Sequence, residues 1–264
     1  MSTLAPITFV EIDLDAIAEH EGRVAVFVDA EGRLDQAARR VNRHTKGAVA
    51  RLVESARWEK MREGDLVSLD YPAGLKAHAV DVVRLERTAK KLEARKAGAA
   101  LAKARGGKTD VLVLCSLIRR AEEVIFGFVM RDYAFENHKS ADSTRDGSVK
   151  VAHGKPTELE AACAPLLAVA DGAHMFRDLT NEPANFLTTT NYAERLKDME
   201  SLGLKVEVLG EEELASLGMR TLLSVGQGSD SPSYVVTMRW DGGEKDAAPL
   251  ALVGKCVVFD TGGI

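Results

Sequence analysis

The sequence has no uninterrupted apolar stretch approaching the ~20 residues that cross a bilayer, and its N-terminus, MSTLAPITFVEIDLDAIAEH, lacks the basic start and long apolar run of a secretory signal. No membrane partner is expected. Cysteine is scarce: Cys115, Cys163 and Cys256 are odd in number, far apart and without a C-x-x-C pair. That excludes a disulfide framework and a thiolate zinc site, and it fits a reducing cytoplasm. Positive charge is not in excess either. With a formal net charge of -5, neither nucleic acid nor an acidic membrane surface is an expected partner.

Several motifs are missing. GGKT (106–109) is not a phosphate loop, because Ala102 stands where the first glycine belongs and the segment runs from a helix into a strand, the reverse of the required order. GQGSDSP (226–232) is glycine-rich, but Ser231 occupies the last glycine position of G-x-G-x-x-G, so a turn near a site and a plain surface turn both remain open. The histidines, His20, His44, His78, His138, His153 and His174, include no H-E-x-x-H and no close pair. None is expected to bind metal, and each is expected at the surface or in a local hydrogen bond. Cys256, in an apolar run with no histidine near it in sequence, reads as a small buried thiol.

What is present is alternation. At 264 residues, 45% hydrophobic and 28% charged, the chain has the make-up of a globular protein with room for two domains. ITFVEI (7–12) and RVAVFVD (23–29) are short β-branched runs, while LDQAARRVN and AVARLVES carry apolar residues at helical spacing. DLVSLDYP and KAHAVDVVRL read as strands, TAKKLEARKAGAALAKARGG (88–107) as a helix stopped by glycines, DVLVLC (110–115) as a strand buried on both faces, and AEEVIFGFVMRDY as a helix. The pattern predicts an α/β sandwich over 1–150. Composition then turns polar from Asp142 to Lys155, a linker helix is expected over 151–176 from Pro156 onward, and a second α/β series follows over 177–264. In that series Thr190 or Asn191 caps YAERLKDMESLG, LKVEVLG and SYVVTMRW are strands, EEELASLG is a short helix, and LALVGKCVVFD supplies one or two further strands. It has no closing helix, so the second domain is expected to be incomplete and to leave apolar surface and an unpaired strand edge.

Lys255 and Asp260 carry the chemistry at the end of that series. Spacing alone leaves them an ordinary strand-end lysine and turn aspartate; at the carboxyl ends of sheet strands they would be ligand groups. Asp260 would then supply a hard oxygen ligand. Lys255 would coordinate only as a neutral amine, which requires desolvation and an adjacent dication.

ALVGKCVVFDTGGI (251–264) resembles the leucyl aminopeptidase (cytosol aminopeptidase) family segment L-V-G-K-G-x-x-F-D-[ST]-G-G-I-S-x-K. RDLTNEPANFLTT (177–189) is similar to the family's R-D-L-x-N-x-P-x-N-x-L-T-P, and LGMRTLLSVGQGSDSPSYVVTMRW (217–240) to its L-G-M-G-x-L-L-x-V-G-x-G-S stretch. The departures are Cys256 and Arg220, both at positions where the family has glycine.

The resemblance implies a macro-domain-like N-terminal α/β sandwich, a linker helix and the start of a metallopeptidase catalytic domain. It implies release of N-terminal residues, leucine among them, from peptides with a free N-terminus, using two divalent metals, manganese or zinc, in a cytoplasmic homohexamer. Carried over by position, Lys255 would ligate one metal and Asp260 would bridge both. The family's second lysine, its further aspartate and its N-T-D-A-E-G-R-L segment are not in these residues. The expectation is therefore a fragment that lacks the catalytic residues and is inactive alone, or a non-catalytic α/β binding or assembly module of the same fold.

Overall fold

Runs rich in valine and leucine make the central strands because both of their faces are covered. Strands β2 (Arg23–Val28), β4 (Ala79–Arg84) and β5 (Val111–Leu114) are buried almost throughout. The computed structural model of the chain describes residues 4–139, 147–244 and 246–259. Its contacts divide into two units, Met1–Asp178 and Leu179–Ile264.

In the first unit a six-stranded sheet has the order β1-β6-β5-β2-β4-β3, with β1 at Ile7–Val10, β3 at Leu66–Asp70 and β6 at Val149–Ala152. Every neighbouring pair is parallel except β3 with β4. Strand β6 lies within the stretch whose composition had suggested a polar boundary. At four residues it is too short to show a period, and it is buried because β1 and β5 flank it.

Helices α1 (Gln36–His44), α2 (Ala48–Val53) and α3 (Ala56–Glu59) cover one face. There Val41, Val49 and Trp58 pack on Val24, Val26, Val82 and Leu112. Helices α4 (Lys91–Arg105), α5 (Ala121–Arg131) and α6 (Pro156–Asn181) supply the other core, in which Leu101, Phe128, Leu159 and Cys163 pack with Ala25, Val83 and Val113. Each fully buried residue of this size contributes roughly 1.5–3 kcal/mol. Local chemistry sets the ends: Asp35 accepts from Ala38 N at 2.7 Å to start α1, and Gly106, at φ 68, stops α4 in the left-handed region.

Helix α6 caps the carboxyl end of α5. His174 Nε2 donates to Val129 O at 3.0 Å and Arg177 Nη1 to Met130 O at 2.6 Å, satisfying carbonyls that a helix end leaves orphaned. His174 is buried, its Nδ1 has no hydrogen-bond partner, and burial pushes its pKa below the ordinary value. A histidine held neutral in the folded state and protonated in the unfolded one contributes stability that is present above the unfolded pKa of ~6.5 and lost as pH falls below it. His174→Gln keeps a donor for Val129 O and does not titrate. Calorimetric melting between pH 7 and pH 5.5 is expected to show a smaller acid-induced fall in Tm for that variant than for the parent. His20, whose pKa burial also lowers, supplies the residual slope.

The second unit holds α7 (Thr189–Lys197), β7 (Lys205–Leu209), α8 (Glu211–Ser216), α9 (Arg220–Gly226) and β8 (Val235–Arg239), with β7 and β8 paired antiparallel. The cap of α7 is Thr188, whose hydroxyl accepts from Asn191 N; the sequence had suggested Thr190 or Asn191, which lie inside the first turn. Residues 249–259 form no strand among the described residues, contrary to the sequence reading. An apolar run becomes a strand only when a neighbour takes its backbone hydrogen bonds, and β7 and β8 pair only with each other there. Leu250, Leu252 and Val253 are accordingly exposed.

Candidate functional site

Lys255 stands in that extended segment and is exposed. Asp260, its expected companion, lies outside the described residues. The segment is tied to α7 at one point, where the Tyr192 hydroxyl and Cys256 Sγ are 3.6 Å apart. Burial, and then this contact with the thiol, push the Tyr192 phenol up to about 12. Cys256 itself is exposed, so the expectation of a buried thiol is corrected: without a strand around it, the side chain stays open to solvent.

A dinuclear centre needs several anionic ligands to offset two dications. Among the described residues no group of three or more histidine, cysteine, aspartate or glutamate side chains is placed to hold a metal ion. The described residues therefore do not fit a two-metal site, and Lys255 lacks the desolvated surroundings that amine coordination demands. The glycine-rich 226–232 stretch is mostly exposed around the end of α9, with Ser233 N donating to Glu211 at 2.8 Å.

A concavity that sequence reasoning did not find lies in the first unit, at the carboxyl ends of β2, β4 and β5. Phe27, Leu85 and Ile118 are buried in its lining beside Asp29, Asp35 and Arg87. Asp29 closes the turn after β2, accepting Arg33 N at 2.8 Å and Arg33 Nε at 2.5 Å. Asp35 accepts from Ser116 Oγ at 2.6 Å, which joins the loop after β2 to the loop after β5.

By sequence, residues 174–264 of this α/β chain match the profile described as "Cytosol aminopeptidase family, catalytic domain". Similarity to named members runs over the whole chain. A probable cytosol aminopeptidase of Dinoroseobacter shibae is 52% identical over 100% of it, one of Cereibacter sphaeroides 47% over 100%, and one of Caulobacter vibrioides 38% over 98%. In each case the chain covers 54% of the relative, so it spans about half the length of the curated relatives it matches. Among solved structures, the bottromycin maturation enzyme BotP aligns at TM-score 0.64 with 27% identity, over 84% of this chain and 46% of that one. Its complex with Mn aligns at TM-score 0.62 with 26% identity, over 83% and 45%. A mutant of tomato leucine aminopeptidase shares the fold at TM-score 0.70 and 18% identity, over 90% of this chain and 52% of that one.

Proposed function

We propose that the chain is part of a metal-dependent aminopeptidase that releases N-terminal residues of the leucine type from peptides. The observation that carries this reading is 52% identity along the whole chain to a protein named as a probable cytosol aminopeptidase. Use of divalent metal is supported by the family and by the Mn complex of BotP. Within these residues Lys255 and Asp260 would be metal ligands, carried over by their place in the ALVGKCVVFDTGGI match. A second ion, manganese or zinc as its identity, cytoplasmic location, peptides with a free N-terminus as substrates and assembly into a homohexamer belong to the same proposal. No helix of the described residues is long and apolar enough to cross a membrane, which is compatible with it.

One observation favours a second reading, a non-catalytic binding or assembly module: the described residues hold no ligand cluster. Hydrolysis of leucine p-nitroanilide with added manganese separates the two. The 264 residues alone are expected to show no metal-stimulated turnover. A polypeptide extended to the length of the curated relatives is expected to turn over, to lose activity to a chelator, and to lose at least about 100-fold in kcat/KM on Lys255→Ala, since even groups behind the ligands cost roughly 10- to 100-fold. An inactive extended polypeptide would sink the enzyme reading.

A further inference from the structure

We propose that the outer surface of α1, α2 and α3 docks peripherally on an anionic lipid bilayer, with its cations on the headgroup phosphates and Tyr71 at the interface. This goes beyond the aminopeptidase reading and does not depend on it.

The net charge of -5 conceals a segregation. Of the chain's 35 Lys and Arg and 40 Asp and Glu, residues 36–62, which make those three helices and the turn after them, hold eight and two, leaving 27 against 38 elsewhere. One of the eight, Arg40, is turned to Asp15. The other seven are exposed, and among the described residues none of them is in an ion pair. Arg39 and Arg43 stand one turn apart on α1, a spacing at which like charges repel, and Arg57 on α3 and Lys60 just beyond it extend the array. A layer of this kind is unfavourable to itself in water and favourable against a surface of fixed negative charge. Helices α4 and α5 lie behind the opposite face of the sheet. Their carboxylates are farther from a partner on this face than the Debye length of about 8 Å at physiological salt, so they weaken the attraction little.

Tyr71 says which anionic partner fits. It follows β3 in the turn 71–75, where Leu75 packs into the same core as α1–α3 and Gly74 approaches His44 O so closely that a Cβ would overlap it. The turn therefore abuts the carboxyl end of α1, beside Arg43. Tyr71 is held at φ 48, a region that bulky side chains avoid and one that the following Pro72 disfavours further, yet its side chain is 84% exposed. No packing inside the chain repays that strain, and such outliers persist where function uses them. An amphipathic ring beside a basic surface suits a bilayer, whose interface takes tyrosine at headgroup level. A nucleic-acid duplex keeps its bases stacked on each other and offers the ring no face.

The test is flotation of the 264-residue chain with lipid vesicles, so that aggregates, which sink, are not counted. The vesicles are phosphatidylcholine alone or with roughly one-third phosphatidylglycerol. The chain is expected to float with the anionic vesicles only, and to be released when NaCl is raised from about 0.05 to about 0.3 M. Arg39→Glu with Arg57→Glu is expected to lower the partition coefficient at least about tenfold, since each cation at such a surface is worth roughly fivefold. Tyr71→Asn, which tolerates the left-handed backbone and removes the ring, is expected to lower it at least about threefold. Lys96→Glu with Lys103→Glu, exposed on α4, is expected to bind like the parent. All these side chains are exposed, so the variants are expected to melt like the parent. No flotation with anionic vesicles, equal flotation with phosphatidylcholine alone, or partitioning unchanged by the α1–α3 pair or by Tyr71→Asn would each overturn the proposal. So would release of the chain from the vesicles by duplex or single-stranded DNA at matched phosphate concentration, which would make the surface one for nucleic acid.

Discussion

Alanine at Gly98 is expected to lower the stability of the first unit by about 3 kcal/mol or more, at or beyond the top of the roughly 1–3 kcal/mol range for overpacked cores. Helices α4 and α5 meet backbone to backbone at two glycines. A Cβ on Gly98 would stand inside the carbonyl group of Val124, and one on Gly127 inside the backbone of Arg95. Neither obstacle is the far end of a flexible side chain, so no rotamer change relieves the clash and the helices must part. Both are wedged between the sheet and their neighbours: Ala97, Leu101, Val124 and Phe128 belong to one core cluster, and separation opens it along its length.

A control isolates the cause. Gly172, inside α6, has open space where its Cβ would go, so Gly172→Ala is expected to stabilise by about 0.5–1 kcal/mol through helix propensity alone. Urea denaturation of Gly98→Ala, Gly127→Ala, the double variant and Gly172→Ala gives the comparison. The double variant is expected to cost less than the sum of the singles, because the first substitution already moves the helices apart. A Gly98→Ala variant that loses under about 1 kcal/mol would show that the two backbones are not held at this approach.

Part of this architecture is legible in the sequence. VAVFV, AVDVV and VLVL are apolar runs bounded by turn residues, and they become the strands buried on both faces. The α4 segment is legible by its alanine, lysine and leucine content and its glycine stop. What composition does not carry is which strand neighbours which. Strands β1 and β6 pair from opposite ends of the first unit, and β6 goes unread because four residues receive their burial from elsewhere. The reverse error occurs at 249–259, where an apolar run has the make-up of a strand but no hydrogen-bonding neighbour among the described residues. The proposed ligand role of Lys255 and Asp260 rests on the family resemblance alone, since two residues at that spacing are common. The crevice is legible by no local pattern, because Asp29, Arg87 and Ile118 come from three loops that only the strand order brings together.

The charge inside β4 is the least legible feature, and it carries the second large effect: Asp81→Ala is expected to destabilise the first unit by about 3–5 kcal/mol, the cost of removing one partner of a buried pair. Asp81 is fully buried in the strand AVDVVR, on the face where Ala25 and Val83 join the core with α4 and α5. It receives Arg23 in a fork, with Nε to Oδ2 at 2.7 Å and Nη2 to Oδ1 at 2.6 Å, and the Ser68 hydroxyl donates to Oδ1 at 2.6 Å. Arg23 Nη2 also donates to Ser68 Oγ at 2.8 Å, so three adjacent strands, β2, β4 and β3, share one closed network. Removing the carboxylate leaves a largely buried guanidinium with only the serine. Removing both charges leaves no orphan, so Arg23→Met with Asp81→Leu is expected to recover most of the loss. The pattern of a severe single and a mild double, measured by denaturant unfolding, distinguishes an orphaned charge from a lost attraction. If the double variant is as unstable as Asp81→Ala, the pair itself holds the β3–β4 edge onto the sheet, because one residue of slip would turn the apolar face of β3 outward.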